Sequence, residues 1–126
     1  MMRWVRLDIV LALHKRQIAE HSGSEGVRDL GLFESALARP QNLHAYEPES
    51  DIASLAAAYA FGIAKNHPFV DGNKRAALLV MRTFLILNGS DINASPEDKY
   101  LTILNLADGS LSEAALAEWI RGHIAG

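Results

Sequence analysis

Between Asn66 and Arg82 the chain reads NHPFVDGNKRAALLVMR, with its polar groups gathered just where an apolar run begins. His67 can take up or release a proton near neutral pH. Asp71 offers a hard oxygen to Mg²⁺, an ion that bridges phosphate oxygens and offsets their charge. Gly72 lets backbone approach a ligand with no Cβ in the way, and Asn73 adds an amide donor or caps a helix. Lys74 and Arg75 bring positive charge to a helix start, whose unpaired N–H groups and dipole already attract anions, phosphates above all. These are the parts needed to move a group from a nucleotide to a hydroxyl. Each also has a plainer reading: Asp71 as an N-cap, Asn73 as a structural amide, Lys74 and Arg75 as a solvated helix start. Phe69, set among the polar groups, reads as the anchor that pins the loop to the core. Arg82 lies seven residues beyond Arg75, on nearly the same helix face and about 10 Å further along the axis, where it reaches a remote phosphate or faces water.

Such a loop needs two firm helices to hold it. DIASLAAAYAFGIAKN (51–66) and the segment 73–88 are apolar on most faces, so both read as central helices with the loop at one end of the core. Before them, helical spacing from about Val5 to His21 gives a first helix, stopped by HSGSEG. Asp29 caps a short second helix that carries Leu32, Phe33, Ala36 and Leu37 and ends at Pro40, and QNLHAYEPES follows as a loop. Ser95 and Pro96 open a fifth helix that closes at Gly109, and Ser110-x-x-Glu113 has capping-box spacing for a sixth. With no convincing alternating strand, the fold class is all-α: one bundle of about six helices, a single domain over residues 1–126.

Composition narrows the chemistry. The 126 residues and 49% hydrophobic content suit one core and leave no room for a second. Without cysteine, thiolate zinc sites and thiol nucleophiles are excluded, and a cytoplasmic location is expected. No stretch approaches the roughly 18 apolar residues of a membrane span. A net charge of -3 argues against a surface that coats nucleic acid. Neither a membrane nor direct nucleic acid is expected as a partner.

HPFVDGNKRAAL resembles the Fic/Doc signature, His-x-Phe-x-(Asp/Glu)-(Gly/Ala)-Asn followed by Gly or Lys and then Arg. It is most similar to the Doc (death-on-curing) branch, and LALHKRQIAEHSGSEGVRDLGLFESALARPQ extends the likeness over most of the chain. The resemblance implies that His67 is the base at a target hydroxyl and that Phe69 anchors the loop. It implies that Asp71 holds Mg²⁺, that Gly72, Asn73 and Lys74 form the anion-binding turn, and that Arg75 meets nucleotide phosphate. The longer Fic pattern has Gly at Lys74 and a second Arg at Leu78, so the AMP-transferring pattern is incomplete. In the Doc branch that departure accompanies kinase chemistry, in which the γ-phosphate of ATP goes to a threonine of elongation factor Tu and translation stops.

Fic-type proteins are often restrained by a helix bearing (Ser/Thr)-x-x-x-Glu-(Gly/Asn). The only Glu here followed by Gly or Asn is Glu25, and His21 stands four before it, so no internal inhibitory motif is evident. The resemblance implies instead a separately encoded antitoxin whose C-terminal segment docks on the chain. Three rivals stand beside this reading. One is AMP transfer, with Arg82 replacing the arginine missing at Leu78. Another is a catalytically dead binding module. The third is a ribonuclease built on Arg16 and His21 or on Arg39 and His44, which share an Arg-x₄-His spacing.

Overall fold

The computed structural model describes residues 1–125. Six helices follow one another: α1 (Leu7–His21), α2 (Leu30–Tyr46), α3 (Ile52–Asn66), α4 (Asn73–Leu87), α5 (Pro96–Asp108) and α6 (Glu113–His123). Two-residue strands β1 (Asp91–Ile92) and β2 (Ile124–Ala125) pair antiparallel and tie the end of α6 to the α4–α5 connection. Alternation cannot show in two residues, which is why no strand is readable in the sequence.

Helix α3 is the axis of the molecule and packs against α2, α4, α5 and α6. Its alanines are what permit this, because small side chains let four neighbours close in on one rod: Ala53, Leu55 to Ala60, Ile63 and Ala64 are all buried. Gly62 carries the closest approach, since a Cβ there would stand 3.1 Å from both the Cα and the carbonyl oxygen of Ala36 on α2. Phe33, Phe84, Leu85, Leu106, Leu116 and Ile120 close the core around α3.

Two expected boundaries move. Helix α2 does not stop at Pro40 but continues to Tyr46, taking up most of the expected loop. Phe33, Ala36, Leu37 and Pro40 form one buried stripe, and Leu43 extends it onto the core. Full burial of a large apolar side chain such as Phe33 or Leu37 is worth about 1.5–3 kcal/mol, set against roughly 3 kcal/mol for an interior proline, and the buried Pro40 ring and partly buried Leu43 add to the same face. The carbonyl that Pro40 leaves without an N–H partner is that of Ala36, the one facing Gly62.

The sixth helix is capped by Ser112, whose hydroxyl accepts from the Ala115 N–H at 3.0 Å, and not by Ser110. Ser110 instead closes the preceding turn, its N–H and O–H both donating to Asp108 Oδ1. Glu113 therefore becomes the first helical residue rather than a box partner, and its carboxylate pairs with Arg39 of α2. Asp29, Asp51 and Ser95 cap α2, α3 and α5 in the same manner as Ser112.

Candidate active site

The segment from His67 to Gly72 joins α3 to α4 and borders a cleft of about 330 Å³ lined by His67, Val70, Asp71, Gly72, Asn73, Lys74, Arg75 and Tyr100. A larger cleft, about 550 Å³, runs between α2 and α3 past Arg39, Phe61 and Lys65, and it contains none of the loop residues from His67 to Gly72. Chemistry rather than volume marks the smaller one, because it is there that a proton acceptor, a carboxylate, two cations and a helix start converge.

His67 caps the C-terminus of α3 in the left-handed conformation, φ 47° and ψ 55°. That geometry costs a non-glycine residue about 1–2 kcal/mol, so its surroundings must enforce it. The turn sends Pro68 and Phe69 inward while His67 stays exposed at the cleft. Phe69 is only 1% exposed, packed against Phe33 and lying flat on the His14 ring with centroids 3.8 Å apart.

Asn73 braces this turn with both ends of its amide. Its oxygen accepts from the Phe69 N–H at 3.0 Å, and its nitrogen donates to the Phe69 carbonyl at 3.1 Å. The same nitrogen stands 3.5 Å from His67 Nδ1, too far for an ordinary hydrogen bond. Because Asn73 turns inward and Gly72 is the N-cap, with φ 75°, no side chain caps α4. The first-turn amides of α4 therefore face the cleft without the cap that α2, α3, α5 and α6 each possess.

Asp71 is exposed, with Oδ1 accepting from the Gly72 N–H at 2.8 Å and Oδ2 facing the Ser24 N–H at 3.4 Å. It thus braces the loop on both sides and does not cap α4. Lys74 and Arg75 are exposed on the first turn, and the Arg75 guanidinium lies 5.3 Å from the centre of the Tyr100 ring of α5.

Arg82 is placed elsewhere. Its guanidinium makes two hydrogen bonds to the Asp91 carboxylate, at 3.1 and 2.9 Å, and it is not among the residues lining the cleft. The pairing holds the Asp91 carboxyl below its ordinary range and raises Arg82. Seven residues along a straight helix carry Arg82 a full two turns from Arg75, where the β1 carboxylate is the nearer anion.

Three contributors were not singled out as site residues from the sequence. His14, 4% exposed on α1, donates from Nε2 to the Asp71 carbonyl at 2.7 Å, a carbonyl being able only to accept. Arg28 donates to the carbonyls of His67 and Asn66, and Val70 N–H bonds the Gly26 carbonyl, so the stretch ahead of α2 lies along the loop. Tyr100 supplies a wall. In the sequence His14 lies on the first helix with no partner in view, and nothing local marks it as reaching a loop 57 residues away.

Comparison with known proteins agrees with this geometry. Residues 4–85 match the family model described as the Fic/DOC family. The chain is similar to "Protein kinase doc" of Escherichia phage P1, 35% identical over 120 residues, which cover 95% of this chain and 94% of that protein. It is also similar to "Toxin Doc" of Mycolicibacterium smegmatis, 41% identical over 73 residues, 57% of this chain and 56% of the relative. With the histidine loop, the uncapped helix start and these matches in hand, the chain belongs to the Fic/DOC family.

Proposed function

We propose that this chain is a Doc-like toxin that transfers the γ-phosphate of ATP to a hydroxyl of a protein. The observation that carries the reading is the exposed His67 beside an uncapped helix start flanked by Lys74 and Arg75. The α4 amides, with Lys74 and Arg75, receive the phosphates, and Tyr100 keeps Arg75 against the cleft wall. His67 takes the proton of the target hydroxyl as its oxygen bonds to the γ-phosphorus. The bond from that phosphorus to the β–γ bridging oxygen breaks, ADP leaves, and the proton on His67 passes to solvent.

Asp71 fits Mg²⁺. An exposed carboxylate at the mouth of a phosphate cradle is the donor set for an ion held by one or two carboxylates plus substrate oxygens. When bound there, Mg²⁺ supplies positive charge that offsets the phosphates. Among the described residues no three His, Cys, Asp or Glu side chains gather as a cage, which suits that shared mode.

Arg82, the stand-in for the arginine missing at Leu78, is paired with Asp91, which favours phosphate transfer over AMP transfer. The names of the relatives support a toxin, and with it a separately encoded antitoxin that restrains it. Elongation factor Tu is the target we would offer first. Among the described residues no helix is long and apolar enough to cross a membrane.

The test is a paired assay with purified elongation factor Tu, one tube holding ATP labelled at the γ-phosphate and the other at the α-phosphate, with His67→Ala as control. Transfer of γ-label alone, silent in the variant, is the expected result. Transfer of α-label would make the chain a nucleotidyltransferase and overturn the proposal.

A further inference from the structure

Arg28 lies before α2, exposed, in a stretch with no chemistry of its own, yet two of its guanidinium nitrogens are engaged by backbone. Its Nε donates to the His67 carbonyl at 2.7 Å and its Nη2 to the Asn66 carbonyl at 2.8 Å. The backbone N–H groups of Arg28 and Asp29 both donate to the Pro68 carbonyl, at 2.7 and 3.2 Å. Three successive carbonyls at the end of α3 thus take their donors from two adjacent residues. A helix C-terminus leaves such carbonyls unpaired and carries partial negative charge, so a cation there is doubly favoured.

The choice of carbonyls matters more than their number. Asn66 O belongs to the peptide plane before the His67 Cα, and His67 O to the plane after it. The angles between those planes and the Cα are the φ and ψ of His67. One rigid guanidinium fork that grips both oxygens therefore constrains both angles together, and it does so at a left-handed geometry that is uncommon for residues other than glycine. Since Cβ follows the backbone, the fork also decides where the imidazole points.

We propose that Arg28 is a positioning residue for the transfer reaction, acting through the backbone of His67 and touching neither nucleotide nor target. This rests on His67 being the base. Arg28→Lys keeps the charge and loses the fork, and Arg28→Ala loses both. Each should lower kcat about 10- to 100-fold, the loss that follows from an ångström of misplacement at a reacting group. KM for ATP should stay within about twofold of wild type, because the phosphate cradle is on α4. Methylguanidinium added to Arg28→Ala should restore part of kcat, and should do nothing for Arg28→Lys, whose side chain fills the place.

A second measurement does not depend on transfer. The imidazole ¹⁵N and ¹H resonances of His67, assigned through His67→Ala, should move in both Arg28 variants, while those of His123, two residues past the Arg121 that pairs with Asp51 at the opposite end of α3, stay in place. Wild-type kcat in both variants, or kcat and ATP binding lost together with no response to methylguanidinium, would overturn the proposal. If the wild-type chain transfers nothing, the functional reading fails instead. The resonances then decide on Arg28 by themselves, unmoved His67 signals sinking it and moved ones sustaining the grip.

Discussion

Replacing His14 by phenylalanine separates two things its imidazole does for the loop. Phenylalanine keeps a flat ring against Phe69, a contact worth about 0.5–1.5 kcal/mol beyond burial, but cannot donate to the Asp71 carbonyl. An acceptor left unpaired inside a protein costs about 1–3 kcal/mol. Asp71 is exposed, so water can take over part of the lost bond, and the lower half of that range, about 1–2 kcal/mol, is the expected loss. With about 2.1 cal/mol/K of unfolding entropy per residue over 126 residues, each kcal/mol lowers Tm by about 4 °C. His14→Phe should therefore melt about 4–8 °C below wild type, followed by far-ultraviolet circular dichroism at pH 7. His14→Ala loses the stack and the burial of the ring as well and should fall by at least about 6 °C, on the same 4 °C per kcal/mol. A phenylalanine variant within 1 °C of wild type would show that the bond to Asp71 contributes nothing. One as unstable as the alanine variant would show that the stack does not.

Other outcomes follow from the same geometry. His67→Gly should abolish transfer with no loss of Tm beyond about 4 °C, because glycine accepts the left-handed backbone freely while its added unfolded-state freedom costs up to about 1 kcal/mol. Arg82→Gln should leave the KM for ATP unchanged and cost under about 1 kcal/mol, its bridge being partly exposed; a tenfold rise in KM would return Arg82 to the phosphate site. Burial pushes the Tyr59 hydroxyl up to about 12 from 10.0, so the folded state holds that proton more tightly than the unfolded chain. The stability this contributes is complete below pH 10 and is lost as pH rises towards 12, and denaturant midpoints for wild type and Tyr59→Phe should converge across that window. Gly62→Ala should gain about 1 kcal/mol of helix propensity and lose about 1–3 to the collision with Ala36, so a variant more stable than wild type would refute the close fit of α2 on α3.

What the sequence by itself determined lies mostly within single contiguous stretches, although the cap of α6 falls on Ser112 and not on Ser110. The loop from His67 to Arg75 carries its proton acceptor, carboxylate, glycine and cations side by side, and it sits between two helices whose alanine and leucine content marks them as central. The N-caps at Asp29 and Ser95 were legible for the same reason, since a cap acts on amides two or three residues away. What only the tertiary structure decided is what acts across the chain. Pro40 stays inside α2 because the core rewards continuing the stripe. Arg82 turns from a phosphate candidate into the partner of Asp91 because β1 folds back beside α4. Tyr100 reaches Arg75 from α5, and His14 and Arg28 hold the loop from 57 and 39 residues away. Hydrogen bonds of that span leave no periodicity and no local pattern. They exist only once packing has brought α1, the start of α2 and the end of α3 to the same place, and with them comes the geometry of His67.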